Sequence, residues 1–193
     1  MEKRRLFIAI NLPENIKNKL IKYQKQWADL PVRWTIKSNL HITLVFIGYV
    51  NDDEMYEIIN IVKKVSEQHE PFNINLEKII LGPASAKASA GRLPRMFWVE
   101  GENSSEIAKL KDNLENSLLS SQNSGYKKKE TRSYKPHITL GRIKTGQWRK
   151  LDVQPKIDEK FEHSFLIETI EVMQSNLKRS GAEYSVLESI SLG

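Results

Sequence analysis

Cysteine is absent from these 193 residues, which excludes a disulfide framework, a thiolate metal site and a thiol nucleophile. No apolar run reaches the roughly 18 to 20 residues that a membrane-spanning helix needs. Behind the basic prefix MEKRR, the apolar stretch LFIAI gives way at once to Asn11 and Pro13. That is too short for a secretory leader, so none is expected, and a cytoplasmic location is. Histidine is also scarce, with four in the chain. What is present is an ordinary globular mixture, 39% hydrophobic and 28% charged. It suits one domain, or two half-sized lobes sharing a core, and is too apolar for a disordered chain. Thirty Lys and Arg against twenty-four Asp and Glu give a formal net charge of +6. Such an excess steers polyanions from a distance without choosing among them. The densest basic run, Lys127-Lys128-Lys129, continues through Arg132 and Lys135; as sequence, it reads equally well as a solvated loop.

Residues 6–12, LFIAINL, have the composition of a strand, and Pro13-Glu14 opens a helix. Along that helix Ile16, Leu20, Tyr23 and Trp27 recur at spacings of four, three and four, one buried face. A short strand is expected at 32–35 and a strong one at 40–47, ended by Gly48. Asp52 and Asp53 start a second helix, striped by Met55, Ile58, Ile59, Val62 and Val65. Strands are expected at 73–81 and 95–100, with a surface loop of small residues between them at 82–94. Ser104 or Ser105 caps a third helix whose face carries Ile107, Leu110, Leu114 and Leu118. Two further strands, 165–173 and 184–192, flank the turn-like stretch from Lys178 to Gly181. Few helices among many strands argue for an α+β fold over a doubly wound parallel sheet.

One tetrapeptide occurs twice, as His41-Ile42-Thr43-Leu44 and His137-Ile138-Thr139-Leu140. Side chains alternate along a strand, so each copy projects an imidazole and a hydroxyl from one face and two apolar anchors from the other. A lone His-x-Thr is most often a hydrogen-bonded pair of no special purpose, but packing does not ask for the same polar pair twice. Two such faces opposed across a cleft suit the cleavage of a phosphodiester. With a pKa near 6.5, one imidazole can take a proton from water while its partner gives one to the departing oxygen. Threonine hydroxyls can bond the phosphate oxygens where charge accumulates. The nearby carboxylates or third imidazole of a hydrolytic zinc site are missing, so no metal or other cofactor is expected. His69 and His163 have no such context and read as surface residues.

The two motifs are similar to the paired His-x-Thr-x signatures of the 2H phosphoesterase superfamily. The chain resembles in particular its RNA 2′,3′-cyclic phosphodiesterases, also called 2′-5′ RNA ligases. LFIAINLPE, VRWTIKSNLHITLVFIG, PRMFWVEG, YKPHITLGRIK and IEVMQSNLKRSGAEYSVLESISL carry the likeness, in order, over nearly the whole length. The resemblance implies a bilobal α+β fold in which two pseudo-twofold-related lobes of antiparallel sheet, with flanking helices, enclose a central cleft. Residues 1–193 would form a single domain of two intertwined lobes, each contributing one HITL motif. It implies metal-independent opening of RNA 2′,3′-cyclic phosphate ends to a 2′-phosphate, with 2′-5′ ligation as the reverse reaction. His41 would be the proton donor and His137 the proton acceptor, with Thr43 and Thr139 on the phosphate. The chemistry alone assigns the pair of histidines and not which is which. Phe46 matches an aromatic that stacks on the terminal base, and Arg142 a guanidinium that grips phosphate. On an ideal strand both face away from their histidine, so bulges marked by Gly48 and Gly141 are expected to re-aim them. For Phe46 a place in the core is nearly as good a reading. Tyr134 and Arg95 are candidates to line an RNA approach, whereas Trp98, in RMFWVE, reads better as core. The Ala/Ser-rich stretch 83–90 is longer and blander than the resemblance leads one to expect.

RNA ends, tRNA fragments among them, are thus the expected partners, with no membrane and a monomeric state. Two rival readings stand beside this one. The first is a 2H phosphoesterase for small cyclic phosphates; the second is a non-catalytic RNA-binding module built on the basic loop and the aromatics.

Overall fold

The computed structural model of the chain describes residues 3–82, 93–130, 133–178 and 181–193. The stretch 83–90, Arg132 and the middle of the last turn lie outside them. The described residues form nine strands: β1 (Arg4–Asn11), β2 (Val32–Trp34), β3 (His41–Val50), β4 (Phe72–Leu81), β5 (Met96–Gly101), β6 (His137–Ile143), β7 (Asp158–Ile167), β8 (Thr169–Lys178) and β9 (Gly181–Ser191). Four helices accompany them: α1 (Glu14–Gln26), α2 (Asp52–Ser66), α3 (Ser105–Ser120) and α4 (Thr145–Trp148). Every strand pairing is antiparallel, so the α+β reading holds. No helix among these residues is long and apolar enough to cross a membrane.

The helices start where their caps allow. Asn51 accepts from the backbone N–H of Glu54 at 2.8 Å, and the Glu54 carboxylate accepts from the Asn51 N–H at 2.7 Å, a reciprocal box that fixes the start of α2. Ser104 caps α3 as its sequence suggests. Leu110, Leu114 and Leu118 of α3 and Ile58 and Val62 of α2 are fully buried, and the two helices pack together over the sheet. Two strand boundaries differ from expectation. Gly48 does not end β3, which runs on to Val50; it adopts φ +103°, a conformation glycine tolerates, beside an irregularity in the β1 pairing. The single strand expected at 165–173 is two, β7 and β8, parted only by Glu168. No glycine or proline marks that corner, and apolar residues on both sides of it, Phe165-Leu166-Ile167 and then Ile170, Val172 and Met173, hide it.

The sheet runs β7-β4-β5-β6-β3-β1-β8-β9, with β2 also pairing β6. The two HITL strands, β3 and β6, are its middle strands, joined by the one backbone pair Ile42↔Ile138. On either side lies a four-stranded half: β9-β8-β1-β3 and β6-β5-β4-β7. Glu168 alone carries the chain from the outer strand of one half into the other, so the halves converge at that end. Alternation sorts the faces of the sheet. Leu6, Ile8 and Ile10 enter the main core with the helices, whereas Phe7 and Ala9 form a separate small cluster with Met173 and Tyr184 on the opposite face. His41 and Thr43 share that second face, since Thr43 pairs with Ala9.

Candidate active site

Ile42 and Ile138 are both fully buried, which anchors the seam and turns the histidines and threonines outward to its other face. His41 and His137 each precede that one pair on their strands, near enough for charge on His137 to be felt at His41.

Both strands carry the same bulge just past the threonine. On β3, Ala9 pairs with Thr43 and Ile8 with Val45, leaving Leu44 as an extra residue. On β6, Trp98 pairs with Thr139 and Phe97 with Gly141, leaving Leu140 as the extra one. Leu44 and Val45 are consequently both buried, and so are Leu140 and Gly141. The alternation is reset by one, and Phe46 and Arg142 emerge exposed on the histidine face. Phe46 is 67% exposed, which removes it from the core. Gly141 is part of one bulge, where a side chain would meet Val32 Cγ1 at 2.5 Å and Trp34 at 2.8 Å. Gly48 belongs to a second irregularity of β3, at Ile47. The β6 bulge is pinned from behind, because the Leu140 carbonyl accepts from Thr35 N–H at 2.8 Å and from the buried Gln24 amide at 3.0 Å.

Each imidazole is held by the carbonyl two residues upstream. His41 Nδ1 donates to Asn39 O at 2.8 Å, and His137 Nδ1 donates to Lys135 O at 2.9 Å. The hydrogen is thereby fixed on Nδ1, so in the neutral form of each ring Nε2 is the nitrogen that carries none. His41 Nε2 lies 3.0 Å from Thr43 Oγ1, the motif's own hydroxyl. Burial pushes the His41 pKa down to about 4, against the opposing effect of the Asn39 carbonyl, and positive charge on His137 and Lys17 lowers it further. Without a ligand His41 is neutral at pH 7. On the other side, buried Glu100 pairs with the Lys135 ammonium at 2.7 Å and steadies the segment that leads into His137.

The two rings have different neighbours. His41 is flanked by Phe7, centroids 5.0 Å apart, and edge-on by Tyr184 at 5.2 Å. His137 stacks on the Trp98 indole, with centroids 4.0 Å apart and planes inclined by 23°. Trp98 is therefore not a core residue. It is half-buried on the site face opposite Thr139, its Nε1–H donates to Met96 Sδ at 3.4 Å, and Gly82 backs its ring. Phe7 and Tyr184 were missed in the sequence because alternation gives parity without saying which face is which.

Tyr134 does not enter the cleft. It packs against the main core, and its hydroxyl donates to the Thr43 carbonyl at 3.1 Å, strapping the segment before β6 to β3. Burial raises its pKa, so it stays a donor. In the basic run, Lys129 pairs with Asp112 at 3.9 Å, and Arg95 is exposed beside β5. His69 contacts Asn113 at 3.1 Å and His163 contacts Lys19 at 3.5 Å, both away from the seam. Among the described residues, no three acidic, imidazole or thiol side chains cluster as a metal site would need. Two Nε2 atoms, two hydroxyls and the exposed Arg142 guanidinium thus share one face, a set able to bind an oxyanion and move protons on either side of it.

Comparison with known proteins points the same way. The family model for LigT-like phosphoesterases matches residues 10–89. An RNA 2′,3′-cyclic phosphodiesterase of Methanocaldococcus jannaschii is 30% identical over 191 residues, covering 95% of this chain and 98% of the relative. One of Thermotoga maritima is 29% identical, covering 95% and 92%. Among solved structures, TT0787 of Thermus thermophilus superposes with a TM-score of 0.81 at 24% identity, covering 97% of each chain. Escherichia coli LigT complexed with 3′-AMP gives 0.77 at 22% identity, covering 99% of each.

Proposed function

The chain belongs to the LigT-like phosphoesterase family, and on that footing we propose that it hydrolyses RNA 2′,3′-cyclic phosphate ends to 2′-phosphates. The observation that supports this best is the seam: two identical HITL strands meet at Ile42↔Ile138, each imidazole fixed through Nδ1 to a carbonyl. The two sheet halves act as lobes of one domain, each supplying one motif. Because both motifs come from one chain, the site is complete in a monomer.

In this reading the cyclic phosphate sits between the rings. His137 Nε2 takes a proton from water as the water oxygen bonds to phosphorus. The bond from phosphorus to O3′ breaks, and His41 Nε2–H gives its proton to O3′, leaving a 2′-phosphate and a 3′-hydroxyl. Thr43, Thr139 and Arg142 hold the non-bridging oxygens, and Phe46 stacks on the terminal base. Trp98 lies against the ring that becomes cationic, where the indole face favours the imidazolium. His41 must be protonated to act, although burial keeps it neutral in the free protein. A phosphate anion about 4 Å away is worth about 4 kcal/mol at an effective dielectric of 20, enough to return His41 to the neutral range. Substrate thus charges its own acid. With an RNA 5′-hydroxyl in place of water, the same proton transfers yield a 2′-5′ linkage, and RNA 3′ ends such as those of tRNA fragments fit the substrate class.

The test is incubation, in excess EDTA, with a short RNA ending in a 2′,3′-cyclic phosphate, followed by mapping of the product end. A 2′-phosphate is expected from the parent and from neither His41→Ala nor His137→Ala. A 3′-phosphate, or turnover surviving both substitutions, defeats the assignment.

A further inference from the structure

Past the bulges, β3 presents a second exposed aromatic on the site face. Arg5 pairs with Tyr49, Leu6 with Gly48 and Phe7 with Phe46. Leu6 is in the main core and Phe7 in the site-face cluster, so Arg5 shares the face of Phe7, and Tyr49 shares the face of its partner Arg5. Tyr49 is 62% exposed and Phe46 is 67% exposed. Because Ile47 is an extra residue, the two rings are separated along the sheet only as far as Phe7 is from Arg5, about 7 Å. That is roughly two of the 3.4 Å steps of a stacked nucleic-acid strand, a span one nucleotide covers when its base rests on a side chain instead of on the next base. Arg5 stands beside the outer ring, on the neighbouring strand and on the same rung as Tyr49. Among the described residues no hydrogen bond or ion pair engages its guanidinium.

We propose that Tyr49 and Arg5 form a subsite for the nucleotide preceding the cyclic end, Tyr49 stacking on its base and Arg5 meeting the phosphate that links it to the terminal residue. The inference rests on the hydrolase reading above and extends it from a cyclic end to an oligoribonucleotide. Two exposed aromatics on one face, in line with His41, make a stacking track, and stacking accepts any base. A cation on the rung of Tyr49, beside the base stacked there, matches the one group every RNA linkage carries. A mononucleotide cyclic phosphate reaches Phe46 and the histidines but not Tyr49, whereas a dinucleotide reaches both.

The test compares kcat/KM on a uridine 2′,3′-cyclic phosphate mononucleotide with that on a dinucleotide ending in the same group. The parent is expected to favour the dinucleotide. Tyr49→Ala is expected to lower the dinucleotide-to-mononucleotide ratio by about 5- to 150-fold, the range spanned by removing one base–aromatic stack, and Tyr49→Trp to retain it. Arg5→Gln is expected to reduce the salt dependence on the dinucleotide by about 0.7 in logarithmic slope, one phosphate contact of a single strand. A ratio unmoved by Tyr49→Ala, or a parent indifferent to length, overturns the subsite while leaving the hydrolase reading intact. Failure of the parent to turn over either substrate overturns both.

Discussion

Acidifying the protein from pH 7 to pH 4 protonates a partly buried imidazole, and the cost follows from where His41 lies. Its pKa is pushed down to about 4 by burial, against an ordinary value near 6.5 in the unfolded chain. Between those values the unfolded chain binds the proton and the folded one does not. Stability therefore falls as pH drops through 6.5, and the loss is complete just below 4. A displacement of that size corresponds to about 3 kcal/mol, a large part of a typical domain's stability. His69 and His163 are also lowered by burial and act in the same direction, so the parent alone does not isolate His41. The assay is urea unfolding at several pH values between 7 and 4, for the parent and for His41→Gln. Subtracting the two curves cancels every other group. The difference is expected to grow by about 3 kcal/mol across this window. In parallel, the His41 ring nitrogens, followed by NMR, are expected to show the Nδ1–H form down to nearly pH 4, and to titrate higher when the 2′-phosphate product is added. A flat difference curve, or free-protein titration of His41 near 6.5, refutes the argument that burial neutralises it and that substrate restores the charge.

Trp98→Leu is expected to reduce kcat/KM about fivefold or more, from roughly 1 kcal/mol of lost cation–π stabilisation, with Trp98→Phe retaining most of it. Gly82→Ala should act in the same direction more weakly, because its methyl would lie 3.1 Å from the indole and press it towards His137; steady-state kinetics of the three variants check this. Gly141→Ala, whose methyl would meet Val32 at 2.5 Å, should destabilise the fold by about 1–3 kcal/mol through overpacking, measurable by urea unfolding. Tyr134→Phe loses one hydrogen bond to the Thr43 carbonyl and should cost about 1 kcal/mol of stability in the same assay, with only a small loss of activity because no contact to substrate is removed.

Local pattern set out a good part of this molecule. Apolar recurrence placed the three long helices to within a residue or two, since each buries one stripe against the sheet. The repeated HITL named the four polar side chains of the seam, because period-two alternation in each copy puts histidine and threonine on one face. Alternation failed where backbone register broke. Phe46 and Arg142 have the parity opposite to their histidine in the sequence yet stand on the histidine face in the fold, and the cause is one extra residue, Leu44 or Leu140. Bulges are settled by the pairing strand as well as by their own residues. Trp98 read as core for a related reason: RMFWVE shows which residues alternate but not which set faces the helices.

Local sequence settled the chemistry on offer, two imidazoles and two hydroxyls with no thiol, and most of the strands and helices that carry it. Only the fold brings the two motifs together, through one pair at Ile42↔Ile138 between sheet halves that the chain also links at Glu168. It also decided how unlike the two histidines are, His41 set between Phe7 and Tyr184 and His137 stacked on Trp98. Identical tetrapeptides have identical intrinsic acidity, and the difference between the two imidazoles comes from solvent exclusion and neighbouring rings. Those are supplied by residues far away in the chain.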